Sequence, residues 1–373
     1  MHIAYLSHAL IPSRSANSVN IMKMCAAFRR NGHDVTLLIP DRPGRDTSVV
    51  DNFSYYGVEN SFAIQRLPWG AYVGRSYVYA VRSALSLKER KIDLVYTRFL
   101  SGAVAAVHLT DKKVVFEAHA PADDQGLLGR RLLSASATRS SFTRTIVISD
   151  ALRDRYASDV PRLKSRVVVA HDAADRVGHD VAPIAIDRKP GEIIVGYAGQ
   201  LYRGKGMELI ARIAPMCPWA QFHVVGGSSA DVEQWRQQVA HVHNLHLHGF
   251  VPPAQVPRYL SGFDILLAPY QRTVSVYGAA GDVAKWMSPL KLFEYMAAGK
   301  PIVCSDLSVL KEIMRHEYNS LLCHPDDPQA WTRALTRLRD EPALCSALAG
   351  NAACDFEANY TWTARAERVL AGL

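Results

Sequence analysis

Two basic side chains alternate with glycines at one strand-to-helix turn of the sequence. Arg203 and Lys205 lie in the stretch 199–206 (Gly-Gln-Leu-Tyr-Arg-Gly-Lys-Gly), which follows an apolar run and precedes a helix that we expect to begin at Met207. Fixed cations beside the free N–H groups of a helix N-terminus are suited to binding a diphosphate. An ordinary solvated basic turn is the alternative, and the glycine framing favours the diphosphate.

An acidic residue lies in the middle of an apolar helical pattern. Glu294 stands among Leu, Phe and Met side chains, in a helix that the Ser-Pro pair at 288–289 is expected to start. A carboxylate in such surroundings needs a partner. The two hydroxyls of a ribose would provide one, and a salt bridge to Lys291 or Lys300 is the alternative.

The first apolar run, at residues 2–7, leads into a loop of small residues at 11–18 that precedes a helical pattern. Small residues let the backbone approach a ligand, but an ordinary helix N-cap by Asn17 or Ser18 explains the loop equally well. The loop is not G-x-G-x-x-G. The sequence therefore does not support a nicotinamide- or flavin-binding Rossmann domain.

Apolar runs alternate with amphipathic stretches along the chain, and together they predict two tandem doubly wound α/β domains. Strands that are apolar throughout indicate parallel sheets covered on both faces. A linker-like segment at 181–192 places the division near residue 185. Because such sheets bind ligands at the carboxyl ends of their strands, the cleft between two facing domains is the expected active site. The expected strands are 2–7, 34–39, 94–97, 113–117, 145–148 and 167–170, then 193–196, 221–225, 245–247, 265–268 and 302–304.

The composition is that of a globular protein with two cores. The 373 residues are 49% hydrophobic and 21% charged, which excludes intrinsic disorder. The net charge of +8 indicates an anionic partner: nucleic acid, an acidic membrane surface or a phosphorylated small molecule. The six cysteines form no C-x-x-C pair, so neither a zinc site nor a disulfide framework is expected. The N-terminus does not resemble a signal peptide and no apolar run reaches about 18 residues, so we expect a cytoplasmic protein.

Motifs of the second half occur in an order typical of one enzyme family. They are the stretch 199–206, Gly-Phe-Val at 249–251, Asp-Ile-Leu-Leu-Ala-Pro at 264–269, and Lys-Leu-Phe-Glu-Tyr-Met-Ala-Ala-Gly-Lys-Pro-Ile at 291–302. Together with Gly-His-Asp-Val-Thr at 32–36, their order and spacing resemble the retaining GT-B glycosyltransferases of the family-4 type (glycosyl transferases group 1). The resemblance covers nearly the whole chain.

The resemblance implies an α/β GT-B fold, in which two Rossmann-like parallel-sheet domains face each other across a cleft. Residues 1–185 would form the acceptor-side domain and 186–352 the nucleotide-sugar-binding domain, with a C-terminal helix at 353–373 crossing back to the first. The implied activity is hexosyl transfer with retention, from a nucleotide-diphosphate sugar to a hydroxyl of a glycan, a lipid-linked or a small-molecule acceptor. No Asp-x-Asp motif lies in a suitable loop, so no metal or other cofactor is expected, and fixed cations would stabilise the leaving diphosphate.

The resemblance also implies roles for individual residues. Arg203 and Lys205 would neutralise the diphosphate, Glu294 would hold the ribose hydroxyls, and His119, at a strand end, would contact the donor sugar as the active-site histidine. The other implied donor-binding residues are Gly199, Gln200, Ser288, Pro289, Leu290 and Lys291 near the diphosphate or sugar, and Phe250 and Val251 near the base. The loop residues Ser15, Ala16 and Asn17 would line the cleft opposite the donor.

The sequence departs from the family pattern at three places. Gln200 stands where the family usually has an arginine, so Arg203 would have to supply that charge. Trp286 stands eight positions before Glu294, where the family has a second acid that contacts the donor sugar. The N-terminal loop has 15–17 (Ser-Ala-Asn) in place of Gly-Gly. These changes put the sugar pocket more in doubt than the diphosphate site.

Other functions stay open. A GT-B nucleotide-sugar epimerase or hydrolase would bind the same donor, and a non-catalytic nucleotide-sugar-binding protein would explain the missing acid. Aromatic and basic residues at 69–82, with more charge at 88–91, form either an ordinary helix surface or a patch that docks on anionic lipid at the inner face of the membrane. Nucleic acid is excluded as a partner because Lys and Arg are scattered and no reading module occurs.

Overall fold

The computed structural model describes residues 1–178, 181–275 and 282–373. The chain divides into two compact units, one of Met1–Asp172 with Trp362–Leu373 and one of Ala173–Thr361. Each unit is built on one sheet whose described strands are all parallel, with helices in the connections. None of the helices in the described part of the chain has the length and apolar character needed to cross a membrane.

The first unit contains a seven-stranded sheet in the order β3-β2-β1-β4-β5-β6-β7. Its strands are β1 (His2–Leu6), β2 (Asp34–Asp41), β3 (Ala63–Pro68), β4 (Leu94–Thr97), β5 (Lys113–Ala118), β6 (Phe142–Val147) and β7 (Val167–Val169). Its helices are α1 (Ala16–Arg30), α2 (Asn52–Tyr56), α3 (Arg75–Lys88), α4 (Leu100–Leu109), α5 (Gly126–Ser136) and α6 (Asp150–Asp159), with 3₁₀ helices at Ala122–Gln125 and Pro161–Arg166.

The second unit contains a six-stranded sheet in the order β10-β9-β8-β11-β12-β13. Its strands are β8 (Ile193–Ala198), β9 (Ala220–Val225), β10 (Leu245–Gly249), β11 (Ile265–Ala268), β12 (Ile302–Ser305) and β13 (Leu321–Cys323). Its helices are α7 (Met207–Ile213), α8 (Ser229–Gln238), α9 (Val256–Gly262), α10 (Leu290–Ala297), α11 (Pro328–Asp340) and α12 (Pro342–Asn359), with 3₁₀ helices at Ala214–Met216, Pro253–Gln255 and Leu310–Glu312. The last helix of the chain, α13 (Trp362–Leu370), belongs to the first unit.

The strand order reverses at one place in each sheet, and these places position the candidate sites. In the first sheet the reversal lies between β1 and β4, and in the second it lies between β8 and β11. At such a point the two connecting helices leave on opposite faces of the sheet, so a crevice opens at the carboxyl ends of the strands. The loops that begin at Ser7 and Arg98, and those at Gly199 and Pro269, therefore line crevices.

The apolar pattern did not predict two of the strands, and both lie at sheet edges. β3 (Ala63–Pro68) has a largely half-exposed sequence with Gln and Arg, and β13 (Leu321–Cys323) has only three residues. An edge strand is paired on one side only, so it needs neither length nor continuous apolar character. The other eleven strands lie where the sequence predicts them, with ends that differ by a few residues.

The unit boundaries differ from the predicted ones at 185 and 353. The second unit begins at Ala173, so the apparent linker belongs to it, and the Ile184 N–H of this mostly exposed segment donates to the Arg258 carbonyl at 3.1 Å. Residue 353 lies within α12, and the chain returns to the first unit only at Trp362. A Pro- and charge-rich composition therefore marks an irregular segment here and not a boundary.

Candidate functional site

A glycine-framed turn joins β8 to α7 at the carboxyl edge of the second sheet. Gly206 has a φ of 103°, and a Cβ there would lie 2.2 Å from the carbonyl oxygen of Pro269, in the loop after β11. The turn therefore packs directly against that loop, which only glycine permits. As a result the Nζ of Lys205 lies 5.2 Å from the ring centroid of Tyr270, whereas the side chain of Arg203 is exposed.

Lys291 brings a second ammonium group to the same tyrosine. It lies in the first turn of α10, is only 7% exposed, and has its Nζ 3.5 Å from the ring centroid of Tyr197 and 5.0 Å from that of Tyr270. Among the residues that the structure describes, this Nζ has no hydrogen-bond partner. A buried ammonium without an acceptor is unfavourable, so the position is suited to an anionic ligand.

Both lysines are less inclined to carry charge than a lysine in water, because both are buried, and the charge of Lys205 also acts on Lys291. Burial lowers the pKa of Lys205 to about 8. Burial, followed by the charge of Lys205, lowers the pKa of Lys291 well below its usual range, and the carboxylate of Glu294 acts in the opposite direction. An anion placed between the lysines would reverse these effects, because it stabilises both ammonium forms.

Gly199 leaves the space that the Lys291 ammonium occupies. A Cβ at Gly199 would lie 2.8 Å from Nζ of Lys291 and 3.1 Å from the hydroxyl oxygen of Tyr197. The Tyr197 hydroxyl donates to the Gln200 carbonyl at 2.7 Å and so holds the start of the turn. The predicted residues Gly199, Lys205 and Lys291 therefore form one arrangement, which we call the lysine pocket.

The remaining predicted donor-binding residues lie along the same edge of the second sheet. Pro289 is the N-cap residue of α10, Ser288 before it is buried, and Leu290 begins the helix. Glu294 is half-buried one turn after Lys291. The half-buried Phe250 and Val251 directly follow β10, two strands from β8, and the half-buried Trp286 lies in the turn before α10.

His119 lies in a cavity of about 160 Å³ within the first unit, at the carboxyl end of β5. The cavity is also lined by Asn17 and Arg98 and by His8, whose pKa is lowered to about 4 by burial and by the charges of Arg42 and Arg98. Among the described residues, Asn17 Oδ1 and Arg98 Nη1 are buried without hydrogen-bond partners. The cavity thus presents a free acceptor and a free donor, the groups that bind hydroxyls.

Only one of the three predicted residues of the N-terminal loop lines this cavity. Ser15 is the N-cap of α1, where its hydroxyl accepts from the Ser18 N–H at 3.3 Å, so the capping role that the sequence assigned to Asn17 or Ser18 belongs to Ser15. Ser15 and Ala16 are exposed. Because Ser15 caps the helix, Asn17 does not, and Asn17 lines the cavity with His119.

His119 is hydrogen-bonded to one member of a buried ion pair, Glu117 and Arg365. Nε2 of His119 lies 2.5 Å from Oε1 of Glu117, which is fully buried on β5. Arg365 of α13 contacts both carboxylate oxygens, at 3.0 and 3.2 Å. Oxygen and nitrogen atoms of Glu117, His119 and Asp172 lie within 4.8 Å of one another, a spacing that could hold a metal ion. Both carboxylates already face the guanidinium of Arg365, which supplies the positive charge there.

Sequence reasoning missed the residues that support these sites. Glu117 gave a usable signal, since an acid inside an otherwise apolar strand needs a buried partner. Tyr270 follows a buried strand, but nothing in the sequence distinguishes it from a core tyrosine. Arg365 gave no signal, because its partner lies 248 positions away in the chain.

Two family models match the chain in succession. The Glycosyltransferase Family 4 model matches residues 18–176, and the model of glycosyl transferases group 1 matches residues 192–341. Together they cover every strand of both sheets except β1, the lysine pocket, and His119 with Arg98 in the cavity of the first unit. The chain belongs to the group 1 glycosyltransferases. The predicted family is therefore confirmed.

Curated relatives of this group 1 glycosyltransferase are distant. An uncharacterised glycosyltransferase of Methanocaldococcus jannaschii is 26% identical over 233 residues, which are 59% of this chain and 56% of that protein. The 2-deoxystreptamine glucosyltransferase of Streptomyces kanamyceticus is 24% identical over 201 residues, 50% of this chain and 49% of the relative. The chain spans about half the length of these curated relatives.

Solved structures confirm the predicted fold class. HepE from Anabaena, in complex with UDP and glucose, has a TM-score of 0.72 at 14% identity and covers 100% of this chain and 99% of its own. Sucrose-phosphate synthase from Thermosynechococcus elongatus has a TM-score of 0.72 at 17% identity, covering 98% and 96%. The group 1 glycosyltransferase thus has two Rossmann-like parallel-sheet domains of the GT-B type.

Proposed function

We propose that this protein transfers a hexosyl group, with retention of configuration and without a metal ion, from a nucleotide-diphosphate sugar to an acceptor hydroxyl. The observation that carries the proposal is the buried ammonium of Lys291, which has no hydrogen-bond partner among the described residues and lies beside Lys205. Membership of the group 1 glycosyltransferases supports the same chemistry.

The lysine pocket is suited to the leaving group of this reaction. As the glycosidic bond breaks, the diphosphate gains negative charge, and fixed cations in a dry site stabilise that charge more than water does. Lys205 and Lys291 supply two such cations, and the N–H groups at the start of α10 add partial positive charge. This placement of positive charge is why we propose that no metal ion is needed.

The carboxylate of Glu294 is proposed to accept hydrogen bonds from the two ribose hydroxyls. Glu294 lies on α10 one turn after Lys291, and in a nucleotide the ribose is attached directly to the diphosphate that Lys291 is proposed to bind. Glu294 is half-buried, so a ligand can reach its carboxylate. Phe250 and Val251, after β10, are proposed to pack against the base. Because HepE binds UDP, uridine nucleotides are the first donors to test.

In the proposed reaction, the leaving phosphate oxygen accepts the proton of the acceptor hydroxyl. The acceptor oxygen then bonds to the anomeric carbon on the face that the diphosphate leaves, which retains the configuration. His119 is proposed to hold a hydroxyl of the donor sugar during this step, with Asn17 and Arg98 as further contacts in the cavity.

The experiment is a panel of nucleotide sugars and acceptors with EDTA present throughout. A cognate donor should raise the melting temperature by mass action, and NMR of the product should show the donor's anomeric configuration. Free sugar released at the same rate without acceptor would indicate a hydrolase or epimerase. Donor binding without turnover across the panel would indicate a non-catalytic binding protein.

A lipid-linked acceptor is a more specific proposal, and exposed apolar side chains support it. Tyr77 on α3 is 61% exposed, and Leu127 and Leu128 on α5 are 72% and 65% exposed. Arginines at 75, 82 and 131 are exposed on the same two helices. Apolar side chains beside cations are suited to a membrane with anionic lipid. We propose that this surface docks peripherally on such a membrane.

Vesicle co-sedimentation tests the docking proposal. Binding should require anionic lipid and should weaken in Tyr77→Ser/Leu127→Ser/Leu128→Ser, whereas Met216→Ser, an exposed apolar side chain of the second unit, serves as the control. Equal sedimentation with neutral and anionic vesicles would contradict the proposal and leave soluble acceptors as the substrate class to pursue.

A further inference from the structure

The last helix of the chain places an arginine inside the first unit. Arg365 lies in the middle of α13 and is only 1% exposed, although it is separated by most of the chain from the strands that it contacts. Its Nε donates to the His171 carbonyl at 2.9 Å, and one Nη donates to the Ala170 carbonyl at 3.3 Å. These bonds fix the plane of the guanidinium group.

The fixed guanidinium binds the carboxylate of Glu117. It contacts Oε1 at 3.0 Å and Oε2 at 3.2 Å, and the Tyr96 hydroxyl also donates to Oε2. Burial alone would raise the pKa of Glu117, but the Arg365 charge and the His119 hydrogen bond outweigh burial and hold it well below the usual range. Glu117 is therefore an ionised carboxylate, which can only accept hydrogen bonds.

The ionised carboxylate determines the tautomer of His119. Nε2 of His119, 2.5 Å from Oε1 of Glu117, must be the protonated nitrogen. Burial and the charge of Arg98 lower the pKa of His119 more than Glu117 raises it, so the ring is neutral near pH 7. In a neutral ring with Nε2–H, Nδ1 is an acceptor. The cavity therefore receives a hydrogen-bond acceptor and not a donor.

We propose that Arg365 is a positioning residue of the active site, which acts through Glu117 to hold His119 in the Nε2–H tautomer with Nδ1 ready to accept a substrate hydroxyl. Through Arg365 the C-terminal helix is part of the catalytic apparatus of the first unit. The inference rests on the proposed function only where it invokes the substrate hydroxyl. The tautomer is a property of the protein alone.

A purely structural role for Arg365 makes a different prediction. A buried ion pair can stabilise a helix without affecting a neighbouring ring. In the described part of the chain, the charges that act on His119 are those of Glu117 on its own strand, Arg98 after β4 and Asp172 after β7, and Arg365 on α13 pairs with the two carboxylates. Replacing one of these groups by a neutral side chain should move the pKa of His119 in the direction that the lost charge determines. A purely structural role for Arg365 predicts no such shift.

The first test is the tautomer, measured by ¹⁵N NMR of the imidazoles with His119→Asn to assign the signal. The wild-type ring should show Nε2–H, and Glu117→Gln should show a mixture of tautomers. An Nδ1–H ring in the wild type would overturn the proposal. This measurement needs no substrate, so it holds even if the proposed transferase function fails.

The second test is kinetic and compares Arg365→Met, Arg365→Lys and Glu117→Gln, with Arg368→Met as the matched control on α13. Arg365→Met should lower kcat about 100-fold through misplacement of His119, and Arg365→Lys should recover part of it. UDP affinity should stay within about twofold in all of them, because UDP binding is proposed for the second unit.

The pH profile separates positioning from structure. The acid limb of kcat/KM should move to lower pH in Glu117→Gln, since the carboxylate that raises the pKa of His119 is gone. It should move to higher pH in Arg365→Met, because the unpaired carboxylate then favours a protonated ring. If Arg365→Met does not fold, the kcat values and pH profiles of Arg365→Lys and Glu117→Gln test the proposal in its place. Unchanged kcat and acid limbs in the folded variants would overturn the proposal.

Discussion

In the second unit the buried ammonium of Lys291 has no hydrogen-bond partner among the described residues, whereas in the first unit the equally buried guanidinium of Arg365 is bound by a carboxylate and two carbonyl groups. Both are cations removed from water near a candidate site. Lys291 has no hydrogen-bonded anion in the described part of the chain, and a ligand could supply one, whereas Arg365 is already paired with a carboxylate of the protein. The difference indicates that Lys291 binds a ligand and that Arg365 supports a residue that does.

The stability of the ligand-free protein should separate the two cations most strongly. Arg365→Met leaves Glu117 buried without its counter-charge and should destabilise the fold by about 3–5 kcal/mol. Lys291→Met removes an unpaired buried charge and should leave stability unchanged or higher. Urea denaturation of both variants checks this. Equal destabilisation would show that Lys291 has a structural partner.

The kinetic consequences should separate the two sites next. His119→Ala should reduce kcat about 100-fold, as the loss of a contact made at the reacting sugar does, and should leave UDP affinity unchanged. Lys291→Met should weaken UDP binding about 10- to 100-fold, the value of a charge-assisted hydrogen bond. Steady-state kinetics with UDP titration measures both, with Lys189→Met as the control. Loss of UDP binding in His119→Ala would contradict the assignment of UDP binding to the second unit and of the sugar contact to His119.

A smaller perturbation tests whether the position of the Lys291 ammonium matters. In Gly199→Ala the new Cβ would lie 2.8 Å from Nζ, so the flexible lysine must shift. UDP affinity should fall about threefold to tenfold, less than in Lys291→Met. Gly199 has a φ of 153°, so the control is Gly191→Ala, at a glycine of the second unit with a φ of 84° whose Cβ would meet no atom within 4 Å. Unchanged affinity would mean that the pocket tolerates several ammonium positions.

The smallest expected effect is a pH dependence of UDP binding. The pKa of Lys205 is lowered to about 8, so its charged form is lost as the pH rises through 8. A diphosphate binds the charged form, and affinity should therefore fall about fourfold between pH 7 and 8.5 from this group alone. Titration calorimetry at several pH values measures it. In Lys205→Met this fall should shrink, and affinity rising with pH would contradict the assignment.

The sequence predicted most of the sheet strands, and it singled out three residues that the structure brings together in the lysine pocket, whose ligand stays a prediction. Buried parallel strands are apolar throughout, so the hydrophobic pattern reports them directly. Gly199 and Lys205 share one strand-to-helix turn, and Lys291 lies at the start of α10, a helix that the Ser-Pro pair before it predicts. The edge strand β3 escaped because it is half-exposed. The irregular segment at 181–192 resembles a linker in composition although it belongs to the second unit, where Ile184 bonds to the Arg258 carbonyl.

The support of His119 could not be predicted, because it depends on contacts between distant parts of the chain. Glu117 is two positions from His119, and its burial was readable from the strand pattern. Arg365 and Tyr96 reach the same carboxylate from α13 and β4, and no local pattern records that. The role of Asn17 was likewise decided by which hydroxyl caps α1, and this depends on the loop conformation.

Proton uptake on UDP binding tests most directly whether Lys291 is kept for a diphosphate. Burial and Lys205 lower the pKa of Lys291 in the free protein, so binding of the anion should pull protons from solution. Calorimetry at pH 8.5 in buffers of different ionisation enthalpy should show uptake in the wild type, less in Lys291→Met and none in the Lys205→Met/Lys291→Met variant. UDP binding of unchanged affinity and without proton uptake in all three proteins would contradict the account.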